Sequence, residues 1–222
     1  FCYMTKQTIL VLCAHSDDQI FGPGATLAKY AKQGKRIITV IFSYGEFSMP
    51  HIKKEIAIKT RVDEAKKADK IIGGSGVFFL GLDELNLTKD AYSKNIPKKL
   101  IEFIKKYKPG KIFTHSFDDP HPNHREVYKL VDQVLDRINY QEELYTFDVW
   151  NPFNFRKRHY PKLYVDVTKT FKTKLRAVGC FESQLSLTTF FNYFPLIMMY
   201  IKALINGFRI DGKYAERFLK IK

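Results

Sequence analysis

The sequence predicts an α/β fold whose mostly parallel sheet is covered by helices on both faces. Three observations carry this. Continuous apolar runs recur along the chain, they alternate with helical patterns, and the first and fourth runs break off into histidines and carboxylates. Runs that are apolar throughout fit strands buried on both faces, and alternation with helices makes such strands parallel. In sheets of this kind, ligands gather beyond the carboxyl ends of the strands.

The elements follow in order. "TILVLCA" (8–14) reads as the first strand, followed by a helix around "GATLAKYAKQG" (24–34) that stops at glycine. "RIITVIFS" (36–43) is the second strand. In "KKEIAIKTRVDEAKKADKII" (53–72), Ile56, Ala57, Thr60, Glu64, Ala68 and Ile71 recur at near-helical spacing. "GVFFLGL" (76–82) is a third strand, a helix is expected near 94–107, and "KIFTHS" (111–116) is the fourth strand. "REVYKLVDQVLDRI" (125–138) is an amphipathic helix with Val127, Leu130, Val131, Val134, Leu135 and Ile138 on one side. "LYTFDVW" (144–150) and "KLYVDV" (162–167) read as later strands.

With 222 residues the chain is expected to form one domain over 1–222, large enough for a real core. The net charge of +14 admits a nucleic acid, an anionic membrane or an anionic substrate. Acids interleave the lysines, however, which reads as solvated helix faces. No glycine-rich phosphate fingerprint follows the first strand, so a non-enzymatic nucleic-acid or phosphate-binding module is the weaker alternative. Cys2, Cys13 and Cys180 are far apart and form no CxxC, which fits a reducing cytoplasm; Cys13 reads as a small buried hydrophobe. The apolar core of the opening "FCYMTKQTILVLCA" is too short for a signal peptide and is expected to be a strand, with Met4 as a plausible start. The apolar stretch 188–205 is interrupted by Asn192, Pro195 and Lys202 and falls short of a clean membrane span.

Chemistry concentrates in two places. "AHSDDQ" (14–19) follows the first strand, and "FDDPHPNHRE" (117–126) follows the fourth. Parallel strands bring those ends to one edge. His15 and Asp18 on one loop, with His124 on the other, make two histidines and a carboxylate. That leaves a position open for water, the pattern of a catalytic zinc site, and it also suits iron(II). A helix N-terminus at His124 disfavours an imidazolium there. Asp17 then lies beside the ion as a general base, and His121 faces the opening as a donor to an oxyanion. Taken singly, these aspartates would read as helix caps and the histidines as surface residues; their pairing argues otherwise.

"AHSDDQIFGPGATLAKYAKQGKRIITVIFSYGE" resembles the opening of the LmbE-like or PIG-L-like N-acetylglucosaminyl deacetylases, with their A-H-P-D-D-E motif. "FDDPHPNHREV" resembles their D-D-x-H-x-D-H motif. "TRVDEAKKADKIIGGSGVFFLGLDEL" resembles their arginine-bearing helix and L-G-x-x-D strand end. "VWNPFNF", "YVDVT", "KLRAVGCFESQL" and "KYAERF" fit later patterns in order. The resemblance implies a Rossmann-like three-layer sandwich and zinc-dependent hydrolysis of an N-acetyl group from an amino sugar. It implies His15, Asp18 and His124 as zinc ligands, Asp17 as base and then acid, and His121 as oxyanion stabiliser. Arg61 matches an arginine that contacts substrate, and Asp83 an acid near the sugar hydroxyls. The alternative for Arg61 is a surface charge pairing with Asp63 or Glu64, and for Asp83 a turn aspartate. A related amidase acting on another substrate is the alternative activity. Ser16, Gln19 and Asn123 depart from the proline, glutamate and aspartate of the pattern, and losing that last aspartate should lower the pKa of His121. With such a substrate, 188–205 becomes a homo-oligomer interface, a lid, or a peripheral contact with an inner membrane surface carrying a lipid-linked sugar; core packing is the plainer alternative.

Overall fold

The computed structural model of the protein describes residues 7–149, 159–185 and 194–222. Cys2, Met4, most of the "VWNPFNF" match and residues 188–193 lie outside the described residues. Chain order runs β1 (Thr8–Cys13), α1 (Asp18–Phe21), α2 (Gly24–Lys32), β2 (Arg36–Ile41), α3 (Lys54–Ile72), β3 (Val77–Phe79), α4 (Leu87–Ser93), α5 (Ile96–Tyr107), β4 (Lys111–His115), α6 (Pro122–Arg137), β5 (Glu143–Phe147), β6 (Lys162–Asp166), α7 (Phe171–Val178), α8 (Glu182–Leu185), α9 (Phe194–Phe208) and β7 (Ala215–Lys220).

One seven-stranded sheet has the order β3-β2-β1-β4-β5-β7-β6. The pairings among β1 to β5 are parallel, and β7 runs antiparallel between β5 and β6. Side chains along β1 alternate between two cores. Ile9, Val11 and Cys13 pack on the face covered by α2, α3, α7 and α9, while Leu10 and Leu12 pack under α4, α5 and α6. A sheet buried on both faces needs runs that are apolar throughout, which is why these strands read so clearly in the sequence. The arrangement is the expected three-layer α/β sandwich.

Strand order reverses at β1, whose neighbours are β2 and β4. Beyond the carboxyl ends of β1 and β4 a crevice opens, and both polar motifs enter it. The expected helix near 94–107 is α5, and the shorter α4 precedes it unanticipated. Asn95 takes a left-handed conformation (φ 56°), and α5 restarts with Pro97 in its first turn. The antiparallel β7 was not anticipated from the sequence, because "AERFLK" is half charged. The apolar stretch 188–205 emerges in part as α9: Met198, Met199 and Ala203 face the core, whereas Ile197, Tyr200, Ile201, Ile205 and Phe208 are exposed. Among the described residues no helix is long and apolar enough to cross a membrane.

Candidate metal centre

The loop after β1 and the start of α6 meet at one buried cluster. Nδ1 of His15 is 3.4 Å from Oδ2 of Asp18 and 3.4 Å from Nε2 of His124. Nε2 of His124 is 3.3 Å from the other oxygen of Asp18. A tetrahedral ion with bonds of about 2.0–2.1 Å places neighbouring donor atoms about 3.3–3.4 Å apart. The two histidines meet at such a spacing, and each also approaches Asp18 at it, His15 through one carboxylate oxygen and His124 through the other. His121 can join His15 and His124 in one potential ligand group, and His115 can join Asp18 and His124 in another.

Each donor is held from behind. The far nitrogen of His15, Nε2, lies 3.3 Å from Oε1 of Glu84 and 3.3 Å from the side-chain amide nitrogen of Asn123. Nδ1 of His124 lies 3.0 Å from Oδ1 of Asp119, although that ring nitrogen lacks the alignment of a regular hydrogen bond. Asp119 also accepts the backbone N–H of His121 and that of Val149. Carboxylates behind ligand histidines fix the rings and make them better donors. Asp18 accepts the backbone N–H of His15 at 2.7 Å, which ties the loop onto its own carboxylate.

The electrostatics match a site built for a cation. Burial alone would lower the pKa of His15, but hydrogen bonds to Asp18 and Glu84 raise it to about 10. Burial would also lower the pKa of His124, yet Asp18 and Asp119 raise it. The helix N-terminus is thus outweighed there. Burial pushes Asp18 up, and the neighbouring His124 and His115 hold it well below the usual carboxylate range.

Asp17 and Arg61 form the next layer. Arg61, 2% exposed, lies within α3 and places Nη2 3.3 Å from Oδ1 of Asp17, while its Nε donates to the carbonyl of Tyr44. It is no surface charge: Glu64 instead binds the backbone and hydroxyl of Ser183. Gly45 makes room for the guanidinium. Its φ is 73°, and a Cβ there would stand 2.9 Å from Nη2 of Arg61. His121 caps α6, its Nδ1 accepting the N–H of Asn123. A neutral His121 consequently carries its proton on Nε2. Burial, then the charges of His124 and His15, lower its pKa to about 4.

Asp83 does not join the cluster. Its carboxylate turns into its own loop, accepting from the backbone of Leu85 and the side chain of Asn86, on the wall of a second cavity with Tyr44 and Lys54. Glu84, the next residue, reaches His15 instead. Counting L-G-x-x-D from Leu80 ends on 84, so the signal was present one position along. His115 also escaped the sequence reading. It is fully buried, stacks on His124 at 3.8 Å, accepts the backbone N–H of Ala14 and lies 3.1 Å from Asp18. Its place at the end of an apolar strand was the same signal that singled out His15.

The departures from the motif have local partners. Ser16 donates to the carbonyl of Tyr44, and Gln19 donates to the carbonyl of Ser16 while its own oxygen faces the thiol of Cys13. Asn123 bridges His15 and the carbonyl of Glu84.

A sequence model of the family described as PIG-L, GlcNAc-PI de-N-acetylase, matches residues 10–135, more than half of the chain. The chain is 27% identical over 192 residues to the diacetylchitobiose deacetylase of Thermococcus kodakarensis, covering 78% of this chain and 69% of that protein. Its fold superposes on the 4-carboxy-2-hydroxymuconate hydratase of Pseudomonas putida with a TM-score of 0.82 at 20% identity, covering 97% and 96% of the two chains. The N,N'-diacetylchitobiose deacetylase of Pyrococcus horikoshii follows at 0.77 and 21%, covering 97% and 84%.

Proposed function

Because the chain belongs to the PIG-L de-N-acetylase family, we propose that it is a metal-dependent hydrolase that removes the acetyl group from an N-acetylglucosamine-type sugar or conjugate, releasing acetate. The observation that carries this is the convergence of His15, Asp18 and His124, with contacts of 3.3–3.4 Å, in the crevice beyond β1 and β4. His15 through Nδ1, Asp18, and His124 through Nε2 would hold the ion, zinc by preference with iron(II) as the alternative. A bound ion would polarise the acetamide carbonyl and ease deprotonation of water.

The chain's own groups supply the rest. Asp17 takes a proton as water oxygen attacks the carbonyl carbon, and returns it to the nitrogen as the C–N bond breaks. The products are acetate and a free amine. Arg61 holds Asp17 in place, and its Nη1 has no partner among the described residues. His121 donates from Nε2 to the developing oxyanion. Asp83 serves the distal part of the substrate, because it faces the second cavity.

The exposed stripe of α9 gives the substrate question a second dimension. Ile197, Ile201, Ile205 and Phe208 form an apolar ridge beside Lys202 and Arg209, a pattern that suits the surface of an anionic membrane and so a lipid-linked sugar. Flotation with anionic vesicles tests this; a protein that stays at the bottom of the gradient at low salt removes the membrane from the proposal.

The central test combines metal analysis with an acetate-release screen over free, oligomeric and lipid-linked N-acetylhexosamines and unrelated amides. The expected result is about one equivalent of metal, lost in His124→Ala, and acetate from an N-acetylhexosamine. Release from other amides alone would make the protein an amidase of another kind. Turnover of an unsaturated dicarboxylic acid without acetate release would replace hydrolysis by hydration.

A further inference from the structure

The second cavity, about 580 Å³, lies beyond the carboxyl ends of β2 and β3, at the same edge of the sheet as the His/Asp cluster. That is a size that takes a small molecule or one unit of a larger one. The loops after β2 and β3 enclose it together with the first turns of α3 and with α4. The same two loops separate it from the cluster. Tyr44 lines the cavity, while its carbonyl accepts from Ser16 and Arg61 on the cluster side. Asp83 lines it too, and the next residue, Glu84, stands behind His15.

Two of the carboxylates on its wall are satisfied within the fold. Asp83 accepts from Leu85 and Asn86, and Asp90 accepts the backbone N–H of Asp83 and pairs with Lys94 at 2.8 Å. Glu46 differs. Its side chain is 5% exposed, yet Oε2 has no hydrogen-bond partner among the described residues. Its other oxygen meets Nζ of Lys54 at 3.1 Å, at the end of a side chain that is 61% exposed. A buried carboxylate with an open oxygen costs stability unless a donor completes it. The field at this point favours a cation. Glu46 raises the pKa of Lys54 by hydrogen bond and by charge, and Asp83 and Glu55 add to that rise against the effect of burial. Lys89 also lines the cavity, but it is exposed on α4.

We infer that this cavity is a cation subsite in which Glu46 holds a primary ammonium group of the substrate, in the place that Nζ of Lys54 takes here. Lys54 shows that an ammonium reaches the carboxylate, and its exposed arm swings into solvent when a ligand ammonium replaces it. A bond from a cationic donor is roughly twice as strong as one from a neutral hydroxyl. An anionic ligand would instead meet Glu46, Asp83 and Asp90 as like charges. The inference rests on the deacetylase reading, because that reaction turns an acetamide into a primary amine, which takes up a proton in water. The cavity lies one loop away from the cluster, so the ammonium belongs to the unit next to the reacting one. The substrate narrows to an oligosaccharide of amino sugars in which that neighbouring unit is already deacetylated.

The test separates binding from turnover. Calorimetric titration of the full chain with glucosamine, and with glucose as the neutral control, reads the subsite without any reaction. Glucosamine should bind more tightly than glucose. Glu46→Gln should weaken glucosamine by about tenfold while circular dichroism stays unchanged. Lys54→Met should tighten it, since the competing ammonium is gone. Equal binding of the two sugars, or a preference for glucosamine that survives Glu46→Gln, overturns the proposal. Should Glu46→Gln lose structure, Lys54→Met carries the test, and a glucosamine affinity that stays or falls there overturns it as well. In turnover, a disaccharide of glucosamine and N-acetylglucosamine should show a higher kcat/KM for acetate release than its fully acetylated counterpart. Glu46→Gln should erase that difference; no difference in the unmodified protein counts against the subsite. Glucosamine binding of the expected pattern without acetate release from any N-acetylhexosamine would leave the subsite standing and remove the deacetylase reading instead. Acetate release without glucosamine binding would do the reverse.

Discussion

Two charged regions lie on either side of the Phe147–Val149 strand end, and they solve the problem of buried charge in opposite ways. In the His/Asp cluster His15, His115 and His124 each face a carboxylate. Across the wall, Lys174 and Glu216 neutralise each other, while the half-buried Lys202 feels the charges of Asp148 and Asp119 and Arg209 is exposed. The comparison teaches that a histidine cluster can wait for a cation whereas a buried lysine needs its carboxylate built in. A closed pair serves stability.

The largest expected effect lies in the cluster. Asp17→Asn keeps the ligand donors and should retain metal while losing about a hundred- to ten-thousandfold in acetate release. A fully active variant would place the base elsewhere and break the contrast between ligand and base. Next comes the closed pair. Glu216→Ala leaves the Lys174 ammonium buried without its partner, at a cost of about 3–5 kcal/mol, whereas adding Lys174→Met to that variant should recover much of the loss. Thermal melts of the three proteins decide it, and a mild Glu216→Ala would mean the pair is not closed in solution.

Smaller effects sharpen the reading of the cluster. Glu84→Gln removes the carboxylate behind His15 and should lower metal affinity by about ten- to a hundredfold, read by competition with a chelator. Asp83→Asn, one residue away, should leave metal affinity unchanged. The pH dependence follows from the raised pKa values of His15 and His124. The ion displaces the proton that His15 holds at neutral pH, and the upward shift of His124 acts in the same direction, so metal affinity rises with pH. The gain is about tenfold per unit for each proton released, and it continues up to about pH 10 for His15. Calorimetry in buffers of different ionisation enthalpy counts those protons; a count of zero would contradict the paired histidines.

Much of this was legible in the chain. Alternating apolar strands and helices gave the sandwich because a sheet buried on both faces leaves its strands no polar positions. The two strand-end motifs pointed to His15, Asp17, Asp18, His121 and His124, which the structure brings to one crevice. Arg61 was readable as a motif residue but not as a buried one, since its partner Asp17 lies on another element. Glu84 and His115 were missed, although the L-G-x-x-D count and the end of the fourth strand marked their positions, because the same stretches held Asp83 and the His/Asp motif that drew the reading first.

The sequence by itself determined the class of the fold and the edge of the sheet where chemistry collects, because both follow from short-range pattern and the rule of parallel strands. Only the tertiary structure decided which carboxylate backs which ring, that Asp83 turns away while Glu84 turns in, and that β7 inserts antiparallel to bring Glu216 and Arg217 beside α9. Those outcomes depend on contacts between residues far apart in the chain, where burial and pairing outweigh local preference.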